Sequence, residues 1–237
     1  MDRYLIAGLN VDMEISGKTT IEQAAKYRIE PNGRPADITI CPSKERIEEK
    51  MKKNMITSYA LQEYMTTGAA FYVALIKFGG FMLHSSAVAL NGKAYLFSAP
   101  SGTGKSTHTS RWVSYFGKER AVIINDDKPA IREINGEFKV MGTPWSGKTD
   151  QNENIAVPIA GIAFLKRGES NSIRRMSVNE AIKNIMWQTV RPSRPDNMEA
   201  LLTTLDKFIS AVPVYELTCN ISDEAVETSY QAMKDGK

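Results

Sequence analysis

Cysteine and histidine are scarce in this chain, with two of each in 237 residues. Cys41 and Cys219 stand far apart, and neither has a second Cys or His at ligand spacing. That argues against a disulfide scaffold and a zinc module and fits a reducing compartment. A one-sided charge is also missing. Lys plus Arg number 30 against 27 Asp plus Glu, a formal net charge of +3, so a nucleic-acid partner is not expected. Long apolar runs are absent as well. The most apolar stretch, Gly68 to Leu90, is interrupted by Lys77, Gly79, Gly80 and His84, whereas a membrane span needs roughly 20 predominantly apolar residues. It reads instead as a buried helix followed by a strand. The opening Met-Asp-Arg-Tyr-Leu-Ile-Ala-Gly has no apolar core of signal-peptide length. Repeats, low-complexity tracts and Ser/Gly linkers are lacking too. With 42% hydrophobic and 24% charged residues, usage is that of an ordinary globular protein. The expectation is a soluble cytoplasmic protein with no membrane partner, its homo-oligomeric state left open.

What is present alternates between strand and helix signals. Short strands are expected at Tyr4 to Val11, Lys26 to Glu30 and Ala36 to Ile40, separated by turn formers such as Pro31-Asn32-Gly33. A polar helix starts near Ser43. A longer one runs from about Met55 to Phe78, with Leu61, Tyr64, Met65, Ala69, Tyr72 and Leu75 at helical spacing and Gly79-Gly80 as its stop. Apolar runs from Met82 to Leu90 and Lys93 to Ser98 flank Asn91-Gly92, a strong hairpin signal. A Gly-rich loop then leads into a helix ending near Gly117, followed by a strand at Ala121 to Ile124. Further β-sequence spans Ala130 to Met141, turning at Asn135-Gly136, and a buried strand is expected at Pro158 to Leu165. Helices at Ser177 to Thr189 (a Ser177/Glu180 capping box) and Asn197 to Ala211, a strand at Val214 to Thr218 and a helix at Ser222 to Met233 close the chain. Alternation this partial predicts an α/β fold, a mixed-sheet sandwich. Residues 1–80 are expected to form a small N-terminal α+β subdomain packed on a core of residues 81–237.

The sharpest feature is Ala99-Pro100-Ser101-Gly102-Thr103-Gly104-Lys105-Ser106, which fits the phosphate-loop pattern with Ala for the first Gly. Glycines let consecutive N–H groups turn inward on a phosphate, and the following helix N-terminus adds its dipole. Lys105 would reach the β- and γ-phosphates and the Ser106 hydroxyl would bind Mg²⁺, so a nucleoside triphosphate is the expected ligand. The next strand ends in Asn125-Asp126-Asp127. One carboxylate holding Mg²⁺ while the other accepts a proton is what a phosphotransferase needs; an Asx turn is the alternative. His84 falls on the strand before the hairpin, and His108 in the first turn of the loop helix reads as structural.

Together Leu83-His84-Ser85-Ser86, the hairpin, Ser101-Gly102-Thr103-Gly104-Lys105-Ser106-Thr107 and Asn125-Asp126-Asp127 resemble the HPr kinase/phosphorylase family, whose core is shared with phosphoenolpyruvate carboxykinase. The resemblance covers about residues 80 to 165. It implies a P-loop kinase core using ATP and Mg²⁺, with Asp126 as general base and Lys105 on the phosphates. It further implies Ser106 and Asp127 as metal ligands, His84 tuning the base, and Ser101 to Thr107 holding the nucleotide. Gly142-Thr143-Pro144-Trp145-Ser146-Gly147-Lys148 is similar to small stand-alone HPr-kinase-like proteins, including kinases that modify lasso-peptide precursors. In that run Lys148 offers positive charge to the phosphoryl group, and Trp145 is either a wall against substrate or the anchor of a plain hairpin. The expected activity is transfer of the γ-phosphoryl group to a hydroxyl on a peptide, a protein serine or a small metabolite. The alternative is a nucleotide-sensing module with weak ATPase activity.

Overall fold

Asn91 (φ 51°) and Gly92 (φ 76°) both take the left-handed backbone that closes a tight hairpin, and the sheet is built outward from it. The structure is a computed structural model and describes residues 1–31 and 33–235. In chain order it contains β1 (Asp2–Ile6), β2 (Leu9–Met13), α1 (Lys18–Ala24), β3 (Ile38–Ile40), α2 (Lys44–Asn54), α3 (Tyr59–Leu75), β4 (Gly80–Met82), β5 (Ser85–Leu90) and β6 (Lys93–Ser98). There follow α4 (Lys105–Phe116), β7 (Ala121–Asn125), β8 (Ala130–Ile134), β9 (Glu137–Met141), β10 (Ala156–Arg167) and β11 (Ser172–Arg175). The chain closes with α5 (Val178–Gln188), α6 (Pro195–Ala211), β12 (Val214–Cys219) and α7 (Asp223–Met233).

Among the described residues two sheets form. A three-stranded sheet has the order β1-β2-β3, and a nine-stranded sheet runs β4-β8-β9-β10-β6-β5-β7, with β12 also on β10 and β11 on β12. Strand β10 joins the two halves of the larger sheet: Ala156 to Pro158 pair antiparallel with β9, and later residues pair parallel with β6 and β12. The fold is therefore mixed α/β. Side-chain alternation sorts the faces. Leu96, Ile162 and Phe164 meet α5 and α6 through Ile185, Leu205 and Phe208, while Tyr95, Phe97 and Ala163 meet α4 and α7 through Trp112, Val226 and Met233. A third core joins the small sheet to Phe71, Tyr72 and Trp145. Strand β5 lies antiparallel between β6 and β7, with Ser85 opposite Ser98 and Ala87 opposite Asn125. The start of β5 and the ends of β6 and β7 thus share one edge.

Several expectations are corrected. Tyr4 to Val11 is not one strand, because Ala7 (φ 52°) and Gly8 (φ 73°) fold it into a hairpin. Alanine in that conformation costs about 1–2 kcal/mol, and Arg132 holds the turn by donating to the Ala7 carbonyl at 2.7 Å. Lys26 to Glu30 forms no strand either: Ala25–Tyr27 is a 3₁₀ turn continuing α1, and Arg28 makes a single bridge to Tyr4. Burial of Tyr27, whose hydroxyl donates to Asn152 at 2.7 Å, outweighs its strand propensity. The turn at Pro31-Asn32-Gly33 includes Asn32, outside the described residues. His84 sits not on a strand but in the break between β4 and β5. There its N–H donates to the Gln188 carbonyl at 2.8 Å and that of Ser85 to the Asp127 carbonyl at 3.2 Å. Strand β11 carries no separate signal in the sequence. Finally, α3 is buried on one side only, since Leu61 and Met65 are 44% and 45% exposed.

Candidate functional site

The loop after β6 turns on Gly102 (φ 79°) and Gly104 (φ 120°), conformations that a side chain would strain. It delivers the chain into α4 at Lys105, so the unpaired N–H groups of that helix face the loop. Lys105 is 7% exposed, and its ammonium donates to the Ala99 carbonyl at 2.9 Å. Burial lowers its pKa from the ordinary lysine value, with Asp127 and Asp126 opposing the shift. Arg167, at the end of β10, braces the loop from outside by donating to the carbonyls of Thr103 (3.2 Å) and Gly102.

The acidic edge is built on the turn that follows β7. Asn125 makes the Asx turn, its side-chain oxygen accepting from the N–H groups of Asp127 (3.0 Å) and Lys128 (2.8 Å). The two carboxylates that follow border the loop's cavity. Asp126 is buried and accepts from the Ser86 hydroxyl at 2.7 Å and the Thr149 hydroxyl at 2.8 Å. Ser86 also bonds to Thr109 on α4 at 2.7 Å, which ties this carboxylate to the loop helix. Asp127 pairs with His84 Nε2 at 3.2 Å and with the Lys128 ammonium. Burial pushes the Asp127 carboxyl up, but the His84 hydrogen bond and the Lys128 charge more than offset it and hold it below its ordinary value. His84 Nδ1 meets Gln188 Oε1 at 2.9 Å, so the imidazole bridges α5 and the acidic turn.

One cavity of about 470 Å³ is bordered by His84, Ser101, Gly102, Gly104, Lys105, Ser106, Thr107, Asp126 and Asp127, together with residues 146–149. Thr103 instead borders a neighbouring cavity of about 480 Å³, which shares Gly102, Gly104 and Thr107 and continues past Arg111 and Arg167 to Asn220. His84 contacts Asp127, not Asp126. His108 is buried against Phe97 and accepts from Trp112 Nε1 at 3.2 Å, and burial lowers its pKa to about 4. Among the described residues no three His, Cys, Asp or Glu cluster as a metal-binding group. That is no obstacle to Mg²⁺, which needs only one or two carboxylates beside phosphate and water.

Sequence reasoning missed the residues that hold these groups. Thr149 and Gln188 reach the acidic edge from distant segments and carry no local signal; Ser86 sat inside the quoted Leu83-His84-Ser85-Ser86 run without a role. The segment carrying Thr149 is a loop, not a hairpin. Trp145 anchors it, 1% exposed, stacked on Phe71 at 4.9 Å. The first seventy residues clamp the same loop. Tyr64 accepts from the Gly147 N–H at 3.0 Å, Gln23 donates to the Gly147 carbonyl at 3.1 Å, and Tyr27 holds Asn152. Gly147 (φ 76°) lies so close that a Cβ there would be 2.9 Å from Asp127 Cβ.

Comparison with known proteins places residues 46–234 in register with the family described as "SynChlorMet cassette protein ScmC". This is a different family from the HPr kinases/phosphorylases that the motifs resemble. No curated protein matches the chain. One similar solved structure is described as that of the Hpr(Ser) kinase/phosphatase from Coxiella burnetii. It is 10% identical, with a TM-score of 0.36 over 65% of this chain and 95% of that one; a likeness that distant carries no argument about chemistry. Among the described residues no helix is long and apolar enough to cross a membrane.

Proposed function

The chain belongs to the ScmC family, matched over residues 46–234, and from that premise we propose that it is an ATP- and Mg²⁺-dependent kinase phosphorylating a hydroxyl. The observation that carries this reading is the meeting of the Gly102–Gly104 loop, Lys105 and two carboxylates around one cavity. The loop N–H groups and Lys105 bind the phosphates and face the charge that develops during transfer. The neighbouring cavity lined by Arg111, Arg167 and Asn220 takes the nucleoside. Asp126, oriented by two hydroxyl donors, takes the proton of the acceptor. Asp127 and Ser106 fit Mg²⁺ as a hard, all-oxygen donor set, since Asp127 is kept ionised and Ser106 borders the same cavity. Held there, Mg²⁺ would supply positive charge to the transferring phosphoryl group. His84 acts through Asp127 as a positioning residue.

The test is ATP titration by calorimetry beside phosphoryl transfer from labelled ATP to pooled hydroxyl acceptors. Lys105→Ala is expected to lose both binding and transfer. Asp126→Asn is expected to keep ATP affinity and to lose transfer by about 10²–10⁴-fold. Retained transfer in Asp126→Asn refutes the base assignment, and unchanged ATP affinity in Lys105→Ala refutes the loop assignment. Slow hydrolysis with no acceptor in any pool marks a nucleotide sensor instead.

A further inference from the structure

We propose that a third cavity, beside the carboxylates, is the acceptor site and that it selects a hydroxyl carried on an apolar, ring-sized group over a polyol or a charged metabolite. This rests on the kinase reading and gives it a substrate class. The cavity, about 590 Å³, is bordered by Tyr64, Met65, Tyr72, Met82 and Trp145, a volume within the usual range for small-ligand sites. It shares Asp127, Gly147 and Lys148 with the phosphate cavity, so a group seated in it presents its hydroxyl to the transferring phosphate. Its charged side chains are Asp127, Lys128 and Lys148, and Lys128 is paired with Asp127 at the junction. Of the tyrosine hydroxyls along its wall, Tyr72 is engaged by Thr143 and the Lys128 carbonyl, whereas Tyr64 accepts the Gly147 N–H and keeps its own O–H to donate. Thr19 and Gln23 are the other polar side chains on the wall; Gln23 donates to the Gly147 carbonyl and its buried Oε1 has no partner among the described residues. A polyol would lose more water there than these few groups replace, whereas an apolar group gains by leaving water.

Helix α3 supplies two further observations. Leu61, Met65 and Ala69 recur four residues apart and line the same cavity; all three are exposed. They form an exposed apolar face of α3, of which Met65 and Ala69 also border a groove toward α2 with Arg46, Glu49, Lys50 and Lys53. One residue earlier on the helix, a Cβ at Gly68 would lie 2.8 Å from Trp145 Cδ1. Glycine inside a helix costs about 1 kcal/mol relative to alanine, and here it lets the indole pack directly under the cavity. In the reaction the bond from the γ-phosphorus to the β,γ-bridging oxygen breaks and a bond from phosphorus to the acceptor oxygen forms. The hydroxyl, presented where the two cavities meet, passes its proton to Asp126 on the wall of the phosphate cavity and from there to solvent, leaving ADP and a phosphomonoester.

The test uses the full chain and two matched acceptor pairs, 2-phenylethanol against glycerol and N-acetyl-Phe-Ser-amide against N-acetyl-Gly-Ser-amide. The pairs separate a free alcohol from a peptide residue as the source of the apolar group. Saturation-transfer NMR without nucleotide reads binding, and labelled ATP reads transfer. In at least one pair the apolar member is expected to bind and to be phosphorylated about tenfold or more faster than its polar counterpart. Ala69→Trp, which fills the mouth from an exposed position, is expected to weaken that binding about tenfold with ATP affinity unchanged. Met65→Gln repeats the test without added bulk. Equal binding and transfer within both pairs, or no effect of either variant, overturns the proposal while leaving ATP binding intact. Absent ATP binding in the unaltered chain overturns the kinase reading instead, and because the NMR arm contains no nucleotide the two failures are distinguishable.

Discussion

His108 lies in the first turn of α4, three residues after Lys105, and is 5% exposed. Its Nε2 accepts the Trp112 indole N–H at 3.2 Å and lies 3.3 Å from the Ser229 hydroxyl, so a proton added there would crowd the indole N–H in a desolvated pocket with that one hydroxyl to receive it. Burial accordingly lowers its pKa from 6.5 to about 4. Above pH 6.5 the imidazole is neutral in both states and contributes no pH dependence. Between 6.5 and about 4 the unfolded chain takes up a proton that the folded chain refuses, so stability falls as the pH falls. Near pH 4 the loss is complete. At about 1.36 kcal/mol per pH unit the interval is worth about 3 kcal/mol, a large share of the 5–15 kcal/mol typical of a folded domain. The perturbation is His108→Gln, which keeps an acceptor for Trp112 but does not titrate in this range. Urea unfolding of both proteins at half-unit steps from pH 7.5 to 4 is the assay. The carboxylates contribute to both curves, so the difference between them isolates His108. The variant starts less stable at pH 7.5, and the gap narrows by about 3 kcal/mol toward pH 4. Parallel curves would refute the burial argument.

Two other perturbations test the frame. Met55 ends α2 in the left-handed conformation (φ 52°) with its side chain 91% exposed, so Met55→Gly is expected to raise stability by about 1 kcal/mol, read as a higher urea midpoint at an unchanged slope. Gly147→Ala places a Cβ 2.9 Å from Asp127 Cβ at a backbone φ of 76°. It is expected to lower phosphoryl transfer about tenfold or more by displacing Asp127, with the thermal midpoint falling by only a few degrees; unchanged turnover would show that the loop tolerates the shift.

The legible part of this protein is the part written in adjacent residues. The Asn91-Gly92 and Asn135-Gly136 turns, the Ser177/Glu180 capping box, the Gly79 stop and the loop of residues 99–106 with its helix all stand where the sequence places them. Each is decided by backbone chemistry within a few residues, where φ preference, a missing Cβ or a capping side chain acts without help from the rest of the chain. Ala7-Gly8 shows the boundary of that code: a single glycine between apolar runs does not by itself distinguish a turn from a continuous strand, and the contact that holds the turn comes from Arg132, far along the chain.

Only the tertiary structure decided which distant groups meet. His84 faces Asp127 because the backbone between β4 and β5 bonds to the end of α5 and to the acidic turn, and Thr149 reaches Asp126 because the first seventy residues clamp its loop. Helical spacing identified Leu61, Tyr64, Met65, Ala69, Tyr72 and Leu75 as the apolar residues of one helix, and that much belongs to the sequence. Which of them a neighbour covers is a property of packing. In this protein Leu61, Met65 and Ala69 stay exposed and line the cavity beside the carboxylates, while α2 approaches Met65 and Ala69 from the other side.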